Sequence, residues 1–264
     1  MDTTTTSGQI LVTRDNQVTT ITISNPKRRN AISNPMATEL KNAILSCKDD
    51  DSRVVILTGD GDHFCAGADL DPNLVNGQPF DVTEFLRNNY NPMVMAMREM
   101  DKIFIAKVRG NCVGAAFNFV LACDLIYSST TSKFSQIFTR IGLSSDGGGA
   151  YFMPERLGYH KSLELMALNK MVMADEAEKL GLVNQVIEDS ELDEYVRNLA
   201  NSLKEGPFIA IRNTKRNLRV AIKQGLAAGL EMEAISQGEN FKSNDFFEGI
   251  SAFVQKRKPN YKGE

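Results

Sequence analysis

Tryptophan is absent from the chain, and histidine and cysteine are scarce. Its 264 residues include no Trp, two His and four Cys. His63 and His160 lie far apart in the sequence, which argues against a His-rich metal site. The cysteines lack C-x-x-C spacing, and neither a signal peptide nor an apolar run of membrane length occurs. We therefore expect a cytoplasmic protein with no metal site and no membrane partner.

The composition is that of an ordinary globular protein. Hydrophobic residues make up 42% of the chain, charged residues 24%, and the net charge is -3. A slightly acidic balance gives no bias toward nucleic acid as a partner. The length allows one large domain, or a domain with an appendage.

Hydrophobic patterning predicts an α/β fold. Residues 53–58 form a continuous apolar run, which is typical of a strand in a sheet covered on both faces. Strand patterns at residues 10–13, 18–24, 103–108 and 125–128 alternate with helical stretches, one of them a long helix predicted over residues 83–100, as in crossover connections. Beyond Gly158 the pattern is mostly helical, and the Thr-rich residues 1–7 predict a frayed start. The sequence thus indicates an α/β core followed by a helical C-terminal third.

Two glycine-rich turns each follow a predicted strand. Gly67 allows a backbone with positive φ that would aim the Ala68 N–H outward. Gly114 does the same for Ala115, which begins a predicted helix, where the first N–H groups have no internal partner. If the two donors converge, they form an oxyanion hole. The alternative is that both are ordinary strand-to-helix turns.

Asp146 is the candidate acid/base group. It precedes three glycines and a helical run. Because glycines have no side chain, a ligand could come close to the backbone there, and the Asp146 carboxylate could face it. A helix N-terminus favours the ionised form, whereas an apolar pocket raises the pKa. An ionised but poorly hydrated base suits removal of a carbon-bound proton. The alternative is a turn or N-cap residue.

Other polar and apolar residues have two interpretations each. The basic run at residues 27–29 could contact phosphates or be a solvated loop. Asn118, one helical turn beyond Ala115, points toward the same cavity or is structural. Phe138 favours packing over substrate contact. The methionines at 93, 95 and 97 face a core or an acyl pocket.

The motifs, in their order, resemble those of the enoyl-CoA hydratase/isomerase (crotonase) superfamily across about residues 9–262. They are Val-Val-Ile-Leu-Thr-Gly at 54–59, Phe-Cys-Ala-Gly-Ala-Asp-Leu at 64–70, Gly-Asn-Cys-Val-Gly-Ala-Ala at 110–116, Ala-Cys-Asp-Leu-Ile-Tyr at 122–127 and Ala-Glu-Lys-Leu-Gly-Leu-Val-Asn at 177–184.

This resemblance implies a ββα spiral core in residues 1–200 and a helical trimerisation region in residues 201–264. It also implies homotrimers or dimers of trimers, and acyl-CoA thioesters as substrates. Coenzyme A would be part of the substrate, with no separate cofactor. The oxyanion donors carried over are the N–H groups of Ala68 and Ala115. Substrate contacts carried over are Lys27, Arg29, Ala31, Ala66, Asp69 and Leu70, with Asn118 and Phe138 facing the acyl group.

The family resemblance does not determine which reaction is catalysed, so the residues at the acid/base positions must be considered one by one. Enoyl-CoA hydratases use two glutamates, and the matching positions here hold Asn118 and Phe138, neither of which is a base. Asp146 occupies a position where several isomerases carry an acid. Its surroundings look most like ring 1,2-epoxyphenylacetyl-CoA isomerases, although Ser145 stands where that subgroup commonly has proline. We therefore expect an isomerase that shifts a 3-enoyl double bond to the 2-enoyl position, or isomerises an epoxide or oxepin ring.

Three other functions remain as alternatives. An enoyl-CoA hydratase is one, and a non-catalytic protein that binds acyl-CoA or RNA is another, although the net charge and Asp146 argue against the latter. An aryl-CoA dehalogenase of the superfamily has a nucleophilic aspartate at this position. Its His and Trp partners are not evident here, and the chain contains no Trp.

Overall fold

A computed structural model describes residues 8–70 and 80–264 of the chain. The prediction for residues 1–7 lies outside this part. The strands are β1 (Gln9–Asp15), β2 (Val18–Ser24), β3 (Val54–Gly59), β4 (Ile103–Val108), β5 (Asn111–Val113), β6 (Leu125–Ser129), β7 (Lys133–Ser135), β8 (Val172–Met173) and β9 (Gln185–Ile187). The α-helices are α1 (Asn34–Ser46), α2 (Val82–Asn88), α3 (Tyr90–Glu99), α4 (Ala115–Ala122), α5 (Gly149–Ala167), α6 (Ala174–Lys179), α7 (Leu192–Lys204), α8 (Phe208–Gln224), α9 (Leu226–Asn240) and α10 (Asn244–Gln255).

Two sheets form the α/β part of the fold. The larger sheet has the order β1-β2-β3-β4-β6-β9, in which only the β1–β2 hairpin is antiparallel. The smaller sheet has the order β5-β7-β8. Five residues of β3 are buried, as its continuous apolar run predicts for a strand covered on both faces. The α/β prediction is confirmed, but the sequence patterns missed the short strands β5 and β8.

The helix predicted over residues 83–100 is two helices, separated at Asn89. Pro92 has no backbone N–H, and its ring disfavours continuing the preceding helix through it. The Asn89 side chain occupies the break, donating to the Phe85 carbonyl at 3.0 Å and accepting from Thr38 at 3.0 Å. Met93 and Met97 of α3 are fully buried and Met95 is exposed, so the core interpretation is confirmed for the first two.

The C-terminal third is helical, as predicted, and a lysine whose side chain is 9% exposed joins it to the core. The Lys215 ammonium on α8 donates to the Met97 carbonyl at 3.0 Å, to the Lys102 carbonyl at 2.7 Å and to the Asp124 carboxylate at 2.8 Å. Burial lowers the pKa of Lys215, and Asp124 opposes that shift. None of the helices in the described ranges is long and apolar enough to cross a membrane.

Candidate active site

The two glycine turns predicted to carry oxyanion donors lie side by side. Cys65 pairs with Cys112 in a parallel bridge, and the Val113 N–H donates to the Cys65 carbonyl at 3.1 Å. Two residues further along, a Cβ placed on Gly67 would lie 3.1 Å from the Val113 carbonyl oxygen and 3.9 Å from the Gly114 Cα. Gly67 has φ +91° and Gly114 φ +61°, values that favour glycine. The pairing register therefore brings Ala68 next to Ala115.

Neither alanine N–H group has an acceptor among the residues that the structure describes. The flanking Gly67 carbonyl and Asp69 N–H bond to Ile32, whereas the Ala68 N–H donates to no group of the described chain. The Ala115 N–H, at the first position of α4, likewise finds no acceptor in residues 8–70 or 80–264. Such a pair of main-chain donors can hold an oxygen that gains negative charge.

Asp146 lies in the turn before α5, close to the first turn of α4. Its carbonyl accepts from the Gly149 N–H at 3.1 Å and from the Asn118 side-chain nitrogen at 2.7 Å. Asn118 is three residues after Ala115, so both residues lie on one face of α4. The fold therefore brings the predicted acid/base group and the two amides to the same end of one helix.

The Asp146 carboxyl group is poorly hydrated. Burial raises its pKa from 3.8 to about 6, against the opposing effect of its own backbone N–H. Its buried Oδ1 has no hydrogen-bond partner in the described part of the chain. The direction of this shift is the one expected for a carboxylate in an apolar setting. A carboxylate with a pKa near 6 is suited to exchange protons with carbon near neutral pH.

Residues near Asp146 include two that the sequence did not single out as functional. Gln136, 2% exposed, donates to the Asn118 side-chain oxygen at 2.6 Å. Tyr90, 3% exposed, has its pKa raised by burial and, after that, by the Asp146 charge. The sequence offered one sign that Gln136 has a special role: it is an isolated amide in the mostly apolar run Phe-Ser-Gln-Ile-Phe at 134–138. Phe138 is buried in the core cluster, as its packing interpretation predicted.

The predicted coenzyme A segments also come together. The Ala66 N–H donates to the Arg29 carbonyl at 2.9 Å, and the Ala31 carbonyl accepts from Asn25 at 2.9 Å. Arg28 forms an ion pair with Asp69, which occupies that carboxylate. The remaining predicted contacts Lys27, Arg29 and Leu70 are exposed on these loops.

A cavity of about 560 Å³ between the core and α8 is separate from these residues. It contains the Lys215–Asp124 ion pair and is lined by none of the predicted site residues. In the described residues, no group of three or more His, Cys, Asp or Glu side chains could hold a metal ion.

Comparison with known proteins places this arrangement in a family. The family model for "Enoyl-CoA hydratase/isomerase" matches residues 13–264. The chain belongs to the enoyl-CoA hydratase/isomerase family. Its membership of the crotonase superfamily, which the motifs predicted, is confirmed. Its α/β fold is that of the superfamily.

Individual relatives differ in the reaction that their names give. The chain is 32% identical to a protein named "Probable enoyl-CoA hydratase" from Rhodobacter capsulatus, over 92% of this chain and 93% of that protein. It is 30% identical to the 1,2-epoxyphenylacetyl-CoA isomerase of Escherichia coli, over 94% and 95%. The crystal structure of an enoyl-CoA hydratase from Bacillus anthracis matches with a TM-score of 0.90 and 28% identity, over 97% and 100%. Both hydratases and isomerases thus occur among the relatives.

Proposed function

We propose that this enzyme is an acyl-CoA isomerase that moves a carbon–carbon double bond, with Asp146 as its acid/base group. The observation that carries the proposal is one half-buried carboxylate close to two adjacent amides that have no acceptor among the described residues. The two positions at which hydratases carry glutamates hold Asn118 and Phe138. Asn118 is bonded to Gln136, Ser145 and the Asp146 carbonyl, so its amide is not free to orient a water molecule.

The proposed reaction begins with the thioester oxygen accepting hydrogen bonds from the Ala68 and Ala115 N–H groups. The Asp146 carboxylate takes a proton from C2 of a 3-enoyl-CoA, and the electron pair of the broken C–H bond delocalises onto the thioester oxygen. The amides stabilise this dienolate. The Asp146 carboxyl group then returns the proton to C4, which leaves the double bond between C2 and C3. Atoms and charge balance with no added water.

The same site residues indicate what kind of acyl group the substrate carries. Position 138 holds phenylalanine where hydratases carry a glutamate, and the similarity to 1,2-epoxyphenylacetyl-CoA isomerase favours a ring substrate alongside linear enoyl esters. The nucleotide end of coenzyme A would lie along the loops of Lys27, Arg29 and Ala66, where the two cations can meet phosphate groups.

A panel of coenzyme A esters tests this proposal. Linear 3-enoyl-CoA, 2-enoyl-CoA and 1,2-epoxyphenylacetyl-CoA are assayed for double-bond migration, hydration, ring isomerisation and thioester loss, with deuterium incorporation at C2 and C4 recorded in D₂O. We expect migration or ring isomerisation to exceed hydration. We expect Asp146→Asn to lose at least about a hundredfold in kcat with its ester affinity retained.

The matched control is Asp51→Asn, which removes an exposed carboxylate elsewhere on the chain. This variant should match the wild type in every assay. Hydration faster than isomerisation would favour the hydratase alternative, which the relatives named as hydratases support. Full isomerase activity in Asp146→Asn would remove the aspartate from the mechanism.

Association of several copies through the C-terminal helices is part of the same proposal. Large apolar side chains there are exposed, including Leu226 at 77%, Phe253 at 84% and Val254 at 73%. Apolar patches of this kind mark protein interfaces. Sedimentation equilibrium should give the mass of a trimer or of two trimers. A monomer at micromolar concentration would contradict this part.

A further inference from the structure

Three polar side chains form a closed ring of hydrogen bonds beneath the Asp146 turn. The Gln136 side-chain nitrogen donates to the Asn118 side-chain oxygen at 2.6 Å. The Asn118 side-chain nitrogen donates to the Ser145 hydroxyl oxygen at 3.1 Å. That hydroxyl in turn donates to the Gln136 side-chain oxygen at 3.2 Å. Asn118 and Gln136 are buried, so these bonds cannot be exchanged for bonds to bulk water without exposing the site.

The Asp146 carbonyl fixes the direction of the whole ring. A carbonyl oxygen can only accept, so the Asn118 atom that lies 2.7 Å from it must be the amide nitrogen. The Asn118 oxygen is then turned toward Gln136, where it requires a donor. Gln136 must therefore present its nitrogen to Asn118 and its oxygen to Ser145. Reversing either amide would set two acceptors or two donors against each other.

The ring has a close-fitting boundary at Gly149. A Cβ at this position would lie 2.2 Å from the Ser145 Oγ and 2.6 Å from the Asn118 Oδ1. Gly149 does not have a positive φ. The lack of room for a side chain, and not the backbone conformation, therefore explains why this position is glycine. By contrast, Gly147 and Gly148 have φ +54° and +91°. The triple glycine thus combines a sharp turn with room for the amide ring.

The Asp146 carboxylate needs such a support. Its buried Oδ1 has no partner among the described residues, so the direction of the side chain follows mainly from the backbone at position 146. That backbone precedes three glycines, whose conformational freedom would otherwise leave it poorly defined. Its carbonyl is held by Asn118 and by the Gly149 N–H.

We propose that Gln136 is a positioning residue for the acid/base group: it orients the Asn118 amide, and Asn118 in turn holds the main chain of Asp146. The inference rests on the proposed function, since it assigns Asp146 the proton transfer. Gln136 itself touches neither the substrate nor the reacting carbons. It acts through Asn118, and its removal would let the carboxylate move away from the carbons that it must reach.

The test uses Gln136→Met, which keeps an unbranched chain of similar length but has no amide, together with Ser145→Ala. Gln224→Met, at an exposed position of α8, is the control. We expect kcat for Gln136→Met to fall by about tenfold to a hundredfold, as misplacement of a reacting group by about 1 Å does, with KM within about twofold. Ser145→Ala should show a smaller loss of the same kind, and the control none.

A second readout does not depend on turnover. Infrared spectra of each protein are recorded across pH, and the Asp146 carboxyl band is identified by its loss in Asp146→Asn. Tyr90, whose pKa is raised first by burial and then by the Asp146 charge, is followed in the same spectra. A released Asp146 side chain reaches water, so its titration in Gln136→Met should move to lower pH.

The outcomes separate the two proposals. An unchanged titration and an unchanged kcat per folded site in Gln136→Met would overturn the positioning role, even if the wild type is an isomerase. Should Gln136→Met yield no folded protein, the same two measurements on Ser145→Ala decide. If the wild type hydrates and does not isomerise, the proposed function fails. In that case, a shifted titration of Asp146 in Gln136→Met would still support the conclusion that Gln136 positions Asp146.

Discussion

Replacing Asp146 by asparagine should stabilise the folded protein at neutral pH while abolishing its proton transfer. Burial raises the pKa of this carboxyl group from 3.8 to about 6 in the folded state. The unfolded chain therefore ionises more readily than the folded one, and folding is opposed wherever the group is charged. A difference of about 2 units corresponds to about 3 kcal/mol at 1.36 kcal/mol per unit.

The sign of the effect gives its pH window. Below about pH 3.8 the carboxyl group is protonated in both states, and Asp146 imposes no cost. As the pH rises toward 6 the unfolded state loses its proton first, so the free energy of unfolding of the wild type declines. Above pH 6 the full difference of about 3 kcal/mol is present. Asparagine does not ionise, so the variant should gain stability relative to wild type across this interval.

Denaturant unfolding followed by far-UV circular dichroism measures the effect. Wild type, Asp146→Asn and the exposed control Asp51→Asn are unfolded at several pH values between 4 and 8, at one protein concentration, because association would shift apparent stability. The quantity of interest is the difference between Asp146→Asn and wild type as a function of pH. Any pH-independent effect of the buried amide cancels in that comparison.

A difference that stays flat between pH 4 and 8 would refute the reasoning. It would mean that the carboxyl group of Asp146 is as well hydrated in the folded protein as in the unfolded chain. The proton-transfer role would then lose its physical basis, because an aspartate with an ordinary pKa is a weak base. A difference that grows as the pH falls would contradict the sign of the linkage.

The sequence predicted the elements of the site better than their support. Gly67, Gly114 and Asp146 were identified because glycine turns after strands and a carboxylate before a helix have local patterns. Their convergence required the Cys65–Cys112 bridge, a contact between segments 47 residues apart that no local pattern encodes. The family resemblance implied in advance that the Ala68 and Ala115 amides act together, and the structure gave the register that brings them together.

The ring beneath Asp146 was beyond local reasoning. Asn118, Gln136 and Ser145 come from a helix, a strand end and a loop, and only the folded chain brings their side chains together. The break in the long predicted helix at Asn89 was missed for a related reason. Helical patterning on both sides outweighed Pro92, whereas the Asn89 side chain supplies bonds to Thr38 from outside the segment that make the break favourable.

Three further predictions concern rate, geometry and the helical region. With a base whose pKa is about 6, kcat/KM should fall about tenfold per pH unit below that value, because only the ionised Asp146 takes a proton; a pH-independent rate from 5 to 8 would contradict this. Gly67→Ala forces a side chain into φ +91° and should cost about a hundredfold in kcat by turning one oxyanion donor away, whereas Gly61→Ala, at φ +66° with open space around it, should leave kcat unchanged. Lys215→Met leaves the buried Asp124 carboxylate without its cation and should destabilise the fold by about 3–5 kcal/mol in denaturant unfolding. Much of that loss is the cost of the unpaired charge, so adding Asp124→Asn to Lys215→Met should restore part of it. If the double variant loses more unfolding free energy than the two single variants lose together, the ion pair is not what joins α8 to the core.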